Sequence, residues 1–313
     1  MESWLSSHSL MFAVCGAVVG FMALPVAASQ GAKSPRPALH TTEIEQLTGA
    51  KGTLDEKEGV FKVSVPRADL QVTVAGVKIP PAMGLTSWAA FEGSPHHVTV
   101  MGDLVLTESQ VNPVMSVALD SGLEVTALHN HFLWDSPRVM FMHIGGMGDE
   151  KALASAVGKV FAKIKETSGG TADSPQVQVD PARTSVDGSK IDAILGVKGK
   201  VDGGIYKTTI GRTTRMHGTE AGNAMGVNTW VAFAGSDDNA VVDGDFAMLE
   251  NELQPVLKAL RKAGINIVAI HQHMTGEQPR VMFLHYWGVG TTQDLARGLR
   301  SALDRTATRL GAR

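Results

Sequence analysis

Cysteine is almost missing from this 313-residue chain, which has Cys15 and no other. Cys15 lies in an apolar N-terminal stretch, so the remaining chain has no thiol for a disulfide framework or a Cys-ligated metal site. Basic runs are missing too, and the formal net charge is −3. Composition therefore leaves no electrostatic footprint for nucleic acid. A long apolar run is missing beyond Leu10–Leu24. That stretch is short for a membrane span, and no stop-transfer pattern follows it.

Leu10–Leu24 followed by Val26-Ala27-Ala28 has the form of an export signal with a small-residue cleavage site. The expectation is a signal peptide over 1–28 and a secreted or periplasmic protein with no stable membrane insertion after cleavage. The first nine residues contain Glu2 and neither Lys nor Arg, a departure from the usual basic start.

Next comes an internal repeat. An offset of 142 relates His129 to His271, Trp88 to Trp230, Gly102-Asp103 to Gly244-Asp245, Glu108 to Glu250, and Gly122 to Gly264. It also relates Pro137-Arg138-Val139-Met140-Phe141 to Pro279-Arg280-Val281-Met282-Phe283, and His143 to His285. Upstream the register slips, so that Gly59-Val60-Phe61-Lys62 answers Gly204-Ile205-Tyr206-Lys207. Two units of this length indicate a domain duplication, since a solenoid uses shorter and more numerous repeats. The expected layout is a tether over 29–42, repeat domain 1 over 43–166, a polar linker over 167–190, and repeat domain 2 over 191–311.

Within one unit, Thr86–Glu92 and His97–Leu106 are β-rich and partly alternating, which predicts strands. Asn112 before Pro113 predicts a helix start, and Gly122 a left-handed stop. Leu123–His131 and Arg138–Gly145 predict two further strands around the turn residues Trp134-Asp135-Ser136-Pro137. Asp149–Glu166 predicts an amphipathic helix with Leu153, Ala156, Val157, Val160 and Ile164 on its apolar face. Strands over Val60–Val65 and Gln71–Val77 precede the unit. The expected class is α+β: two tandem β-β-α-β-β-α units, each an antiparallel sheet with its helices on one face, like a permuted ferredoxin-type sandwich. Trp88 and Trp230 read as core residues, with sugar stacking as the lesser alternative.

Six of the eleven histidines belong to the repeat. Residues two apart on a strand share a face, so His129 pairs with His131 and His271 with His273. A hairpin centred near Ser136 would set His129 across from His143, and its counterpart would do the same for His271 and His285. Three imidazoles meeting at one point are a donor set for a divalent cation. Zinc is the expected ion, and copper or iron would also accept such donors. Asp103, Asp245, Glu108 and Glu250 are the candidates for a fourth ligand or a general base. Arg138 and Arg280 could grip an anionic substrate group, or instead pair with Asp135 and Glu277.

The segment His129-Asn130-His131-Phe132-Leu133-Trp134, continued by Ser136-Pro137-Arg138-Val139-Met140-Phe141-Met142-His143, resembles the LppY/LpqO-type family of bacterial envelope proteins. The paired segment from His271 to His285 extends the likeness over nearly all of the mature chain. The resemblance implies an envelope protein without assigning it a reaction. Its namesake members are lipoproteins, whereas Cys15 follows bulky Val14 and does not suit lipid attachment. Three functions fit this reading. The first is a metal-dependent hydrolase or lyase, the second a non-catalytic metal-binding or metal-buffering module. The third is a binding protein for small molecules or anionic cell-envelope ligands.

Overall fold

A computed structural model describes residues 38–169 and 176–307. The expected signal peptide and most of the expected tether lie outside these residues, as does part of the linker.

Helix α1 (Thr41–Thr48) opens the first copy, followed by strands β1 (Gly52–Asp55) and β2 (Val60–Pro66). Then come β3 (Thr86–Ser94), β4 (His97–Thr107), α2 (Glu108–Asp120), β5 (Glu124–His129), β6 (Val139–Gly148) and α3 (Glu150–Glu166). The second copy repeats the order with α4 (Gly188–Leu195), β7 (Lys200–Asp202), β8 (Ile205–Gly211), β9 (Asn228–Gly235), β10 (Ala240–Leu249), α5 (Leu253–Lys262), β11 (Asn266–His271), β12 (Val281–Gly290) and α6 (Thr292–Leu303). The protein is α+β, with one large antiparallel sheet and six α-helices among the described residues.

The two copies are halves of that one sheet, not beads on a linker. Its strand order is β1-β2-β3-β4-β6-β5-β11-β12-β10-β9-β8-β7. The copies join where β5 meets β11, at Leu128 opposite Ile270. Little ladder forms there, and side chains supply the missing backbone partners. Asn112 accepts from Ile267 N at 2.8 Å and donates to Ile267 O at 3.1 Å. Gln254 accepts from Val125 N at 3.0 Å and donates to Val125 O at 2.9 Å.

Strand alternation sorts the sheet into two faces. Val98, Val100, Leu104, Leu106, Met142 and Ile144 point to the helix side and share one buried core with α2, α3, α5 and α6. Residues between them on β4 and β6, including Asp103 and His143, point to the opposite face, which is free of α-helices among the described residues. Val105, Val139 and Phe141 on that face are covered locally by Val72, Ile79 and Leu85. Val72 and Ile79 flank a small sheet of Thr73–Val74, Val77–Lys78 and Asp135–Ser136, and Leu85 precedes β3.

Helix ends follow sequence chemistry. Asp149 caps α3 by accepting from Lys151 N and Ala152 N, and the expected apolar face is buried. The start of α2 differs from expectation. Asn112 is not its cap; Thr107 is, and Gln110 reaches back to accept from Thr107 N at 3.1 Å. Pro113 therefore lies inside the helix, where it forfeits one backbone hydrogen bond. Asn112 is released to serve the other copy. The expected tether and linker are also partly helical, since α1 begins at Thr41 and α4 at Gly188. Of the expected strand Gln71–Val77, only Thr73–Val74 and the start of Val77–Lys78 are extended.

Candidate metal centre

Each copy gathers three imidazoles on the helix-free face. In the first, the His129 ring centroid lies 5.2 Å from that of His131 and 5.1 Å from that of His143. In the second, His271 lies 5.0 Å from His273 and 4.8 Å from His285.

The route to this convergence differs from the expected hairpin. His129 pairs with Phe141, and His143 with Ala127, across a register shift between Val125 and Ala127. The second copy matches, with His271 opposite Phe283 and His285 opposite Ala269. Each histidine lies two residues from its expected pairing, which preserves the face because side chains alternate with period two. His131 and His273 are not on strands, since β5 and β11 end at His129 and His271. Asn130 turns the first chain away by donating to Phe132 O at 3.0 Å. His131 then stacks on Phe141 at 3.4 Å between centroids, and His273 on Phe283 at 3.5 Å.

The carboxylates divide sharply. Asp103 lies opposite His143 and Asp245 opposite His285 on neighbouring strands. Both are buried, at 9% and 2% exposure. Gly102 and Asp103 lie within β4 in regular pairing with Ile144 and His143. Glu108 and Glu250 are instead exposed at helix starts, five residues beyond the aspartates, or about 16 Å along the strand direction. Arg280 pairs with Glu250 at 3.4 Å, away from the imidazoles. Arg138 is exposed. Asp135 and Glu277, the expected partners of the arginines, accept from the backbone N–H of Val139 and Val281.

Around Asp245 the donor set is tight. One ligand atom each from Asp245, His271 and His285 lies within 4.8 Å of the others. His273 Nε2 is 3.4 Å from Asp245 Oδ2. His285 Nδ1 lies 3.2 Å from Gly244 O, a contact that puts the proton on Nδ1 and leaves the Nε2 lone pair as the ring's donor. Asp245 Oδ1 and His271 Nε2 are buried without a hydrogen-bond partner, as is Asp103 Oδ1 in the first copy. Burial pushes the Asp245 carboxyl up to about 7, against the pull of His285 and the Leu284 N–H. Burial also holds His271 and His273 below the usual imidazole range, and neighbouring imidazoles add to it. His131 is lowered as well, by burial first, with Asp103 opposing.

A family model described as "Domain of Unknown Function (DUF1259)" matches residues 42–163 and again 189–305. The chain belongs to this family. Each DUF1259 unit carries one imidazole cluster, so duplication and site repeat together. No curated protein matches the chain. A trimeric bacterial microcompartment shell protein, PduB, aligns at 11% identity and a TM-score of 0.17, covering 81% of this chain and 89% of that one. An aspartate kinase from Synechocystis aligns at 12% identity and a TM-score of 0.14, covering 75% of this chain and 44% of that one. Such scores carry no argument about fold or activity.

Several features of the DUF1259 units escape sequence reading. Trp88 and Trp230 are half-buried, not core, and lie under the ammonium groups of Lys62 at 4.0 Å and Lys207 at 4.6 Å. Arg67 is 2% exposed and donates to Val105 O and to Gln110 Oε1. Arg212 does the same in the second unit, donating to Ala247 O and forking onto Glu252. A second group of metal-type donors, His40, Glu43 and Glu150, is already engaged: Glu150 accepts from His40 N and faces His40 Nδ1, while Lys151 pairs with Glu43.

Proposed function

We propose that the protein is an exported metal-binding protein whose second copy holds a divalent cation through Asp245, His271 and His285, with His273 beside them. The first copy offers the homologous set Asp103, His129, His131 and His143. One observation carries this reading: a buried carboxylate oxygen and a buried imidazole nitrogen lack partners where four donors converge. Leaving such groups unpaired costs about 1–3 kcal/mol each, and a cation would satisfy both.

Asp245 takes the role of ligand that sequence left open between ligand and base. His285 is oriented by the Gly244 carbonyl, the usual outer partner of a ligating imidazole. Imidazoles with one carboxylate suit zinc. Two imidazoles and one carboxylate also form the facial set used by non-haem iron, which favours iron as the second candidate. A bound cation would supply a Lewis acid and an activated water. Substrate would reach it from the helix-free face, where His273 is 35% exposed. This suits hydrolysis or elimination on a small molecule or an envelope ligand.

The N-terminal export pattern and the likeness to LppY/LpqO-type envelope proteins support a periplasmic or secreted location. The spatial order β3-β4-β6-β5 within a copy supports reading each unit as a circularly permuted ferredoxin-type sandwich. Elemental analysis of protein purified without added metal, followed by ester, amide and phosphoester assays with and without chelator, tests the proposal. Bound metal with chelator-sensitive turnover is expected. Metal-free protein that acquires none on titration would end the reading.

A further inference from the structure

The two copies differ beside their imidazoles. A groove of 560 Å³ opens against His143 in the first copy, a volume in the range of small-molecule sites. Its bed is Gly145, where an added Cβ would meet no atom closer than 3.7 Å. Met101 lies beside Gly145 on β4 and Glu124 beside it on β5, one row along from Asp103 and His143. Met147 closes the far side of the groove, and Thr126 stands next to Glu124. Met101 and Met147 are 61% and 66% exposed. Large apolar side chains left in solvent around a concave site mark a ligand surface, and unbranched thioethers adapt to an apolar chain.

The second copy lines the corresponding positions differently: Trp287, 39% exposed, stands where Gly145 does. The repeat offset puts Asp243 where Met101 stands and Val289 where Met147 stands. A charge has replaced one wall and a shorter side chain the other.

We infer that the first copy's groove binds a small molecule with an unbranched apolar chain and one anionic head, the head at His143 and the chain along Gly145 between Met101 and Met147. Glu124 confines negative charge to the head, because a second anionic group on the chain would lie beside its carboxylate. Only the head-group contact rests on the metal reading. The chain contact stands on the groove alone.

The test is calorimetric binding of straight-chain carboxylates, from acetate to octanoate, to the full chain with and without chelator. Wild type should gain about two- to fourfold in affinity per methylene until the groove is filled. The double variant M101D/M147V, which places the second copy's residues at the two methionine positions, should lose most of this gain. Both positions are exposed, so folding is not at stake. Suberate should bind more weakly than octanoate, and Glu124→Gln should narrow the difference. A wild-type affinity that ignores chain length, or a gain unchanged in the double variant, would overturn the inference. A chelator that leaves the affinities unaltered would count against the metal reading instead, with the groove intact.

Discussion

Asn112 and Gln254 perform the same task on each other's copy. They are repeat-matched, and each turns its amide across the junction to satisfy both backbone groups of one residue, Ile267 or Val125. The amides complete a ladder that β5 and β11 leave open beyond Leu128 and Ile270. Two duplicated units thereby become one sheet.

Asn112→Ala and Gln254→Ala should therefore each destabilise the protein, by about 1–3 kcal/mol, because each leaves a backbone N–H and C=O without a partner. Urea unfolding of the single variants measures this. Loss of a surface amide would change the midpoint negligibly, and that result would refute the junction as described.

Much of the site was legible in sequence. The offset of 142 exposed the duplication, and strand alternation led to the expectation of a shared face, although His131 and His273 lie beyond the strand ends. Its exact pairing was not legible, because the ladder centres on Asp135 and nothing in Trp134-Asp135-Ser136-Pro137 marks that centre over Ser136. The union of the copies was hidden too, since it rests on side-chain amides of different identity, Asn and Gln. Arg67 and Arg212 escaped notice because they lie upstream of the slip, where the offset becomes 145. Helix α1 was concealed by its brevity, eight residues with two buried side chains.

The Arg212–Glu252 pair makes stability depend on pH. Burial opposes ionisation of Glu252, but the Arg212 guanidinium and the N–H groups of Ala307 and Leu249 outweigh it and hold the carboxyl below its ordinary value of 4.5. A depressed folded-state value gives stability that is fully present above about pH 4.5 and is lost as pH falls through the lower folded value. Glu252→Gln, which copies Gln110 of the first copy, should flatten this acid limb in unfolding curves taken from pH 3 to pH 7. Arg212→Met should cost about 3–5 kcal/mol at neutral pH by stranding a buried charge. Parallel acid limbs in wild type and Glu252→Gln would contradict the assignment.

Gly158 sets the contact between α3 and α1. A Cβ there would sit 2.1 Å from Leu47 O, a backbone atom that cannot move aside alone. Gly158→Ala should lower stability by about 1–3 kcal/mol despite its better helix propensity. Thermal unfolding decides between the two effects, since propensity alone would raise the melting temperature.

Asp245 and His271 are the proposed metal ligands, and Glu250 lies outside the proposed site. Metal content per chain, measured by inductively coupled plasma mass spectrometry on wild type, Asp245→Asn, His271→Ala and Glu250→Gln, tests this most directly. Asp245→Asn and His271→Ala should lose the second copy's ion, and Glu250→Gln should keep it. Equal metal content in wild type, Asp245→Asn and His271→Ala would contradict this assignment.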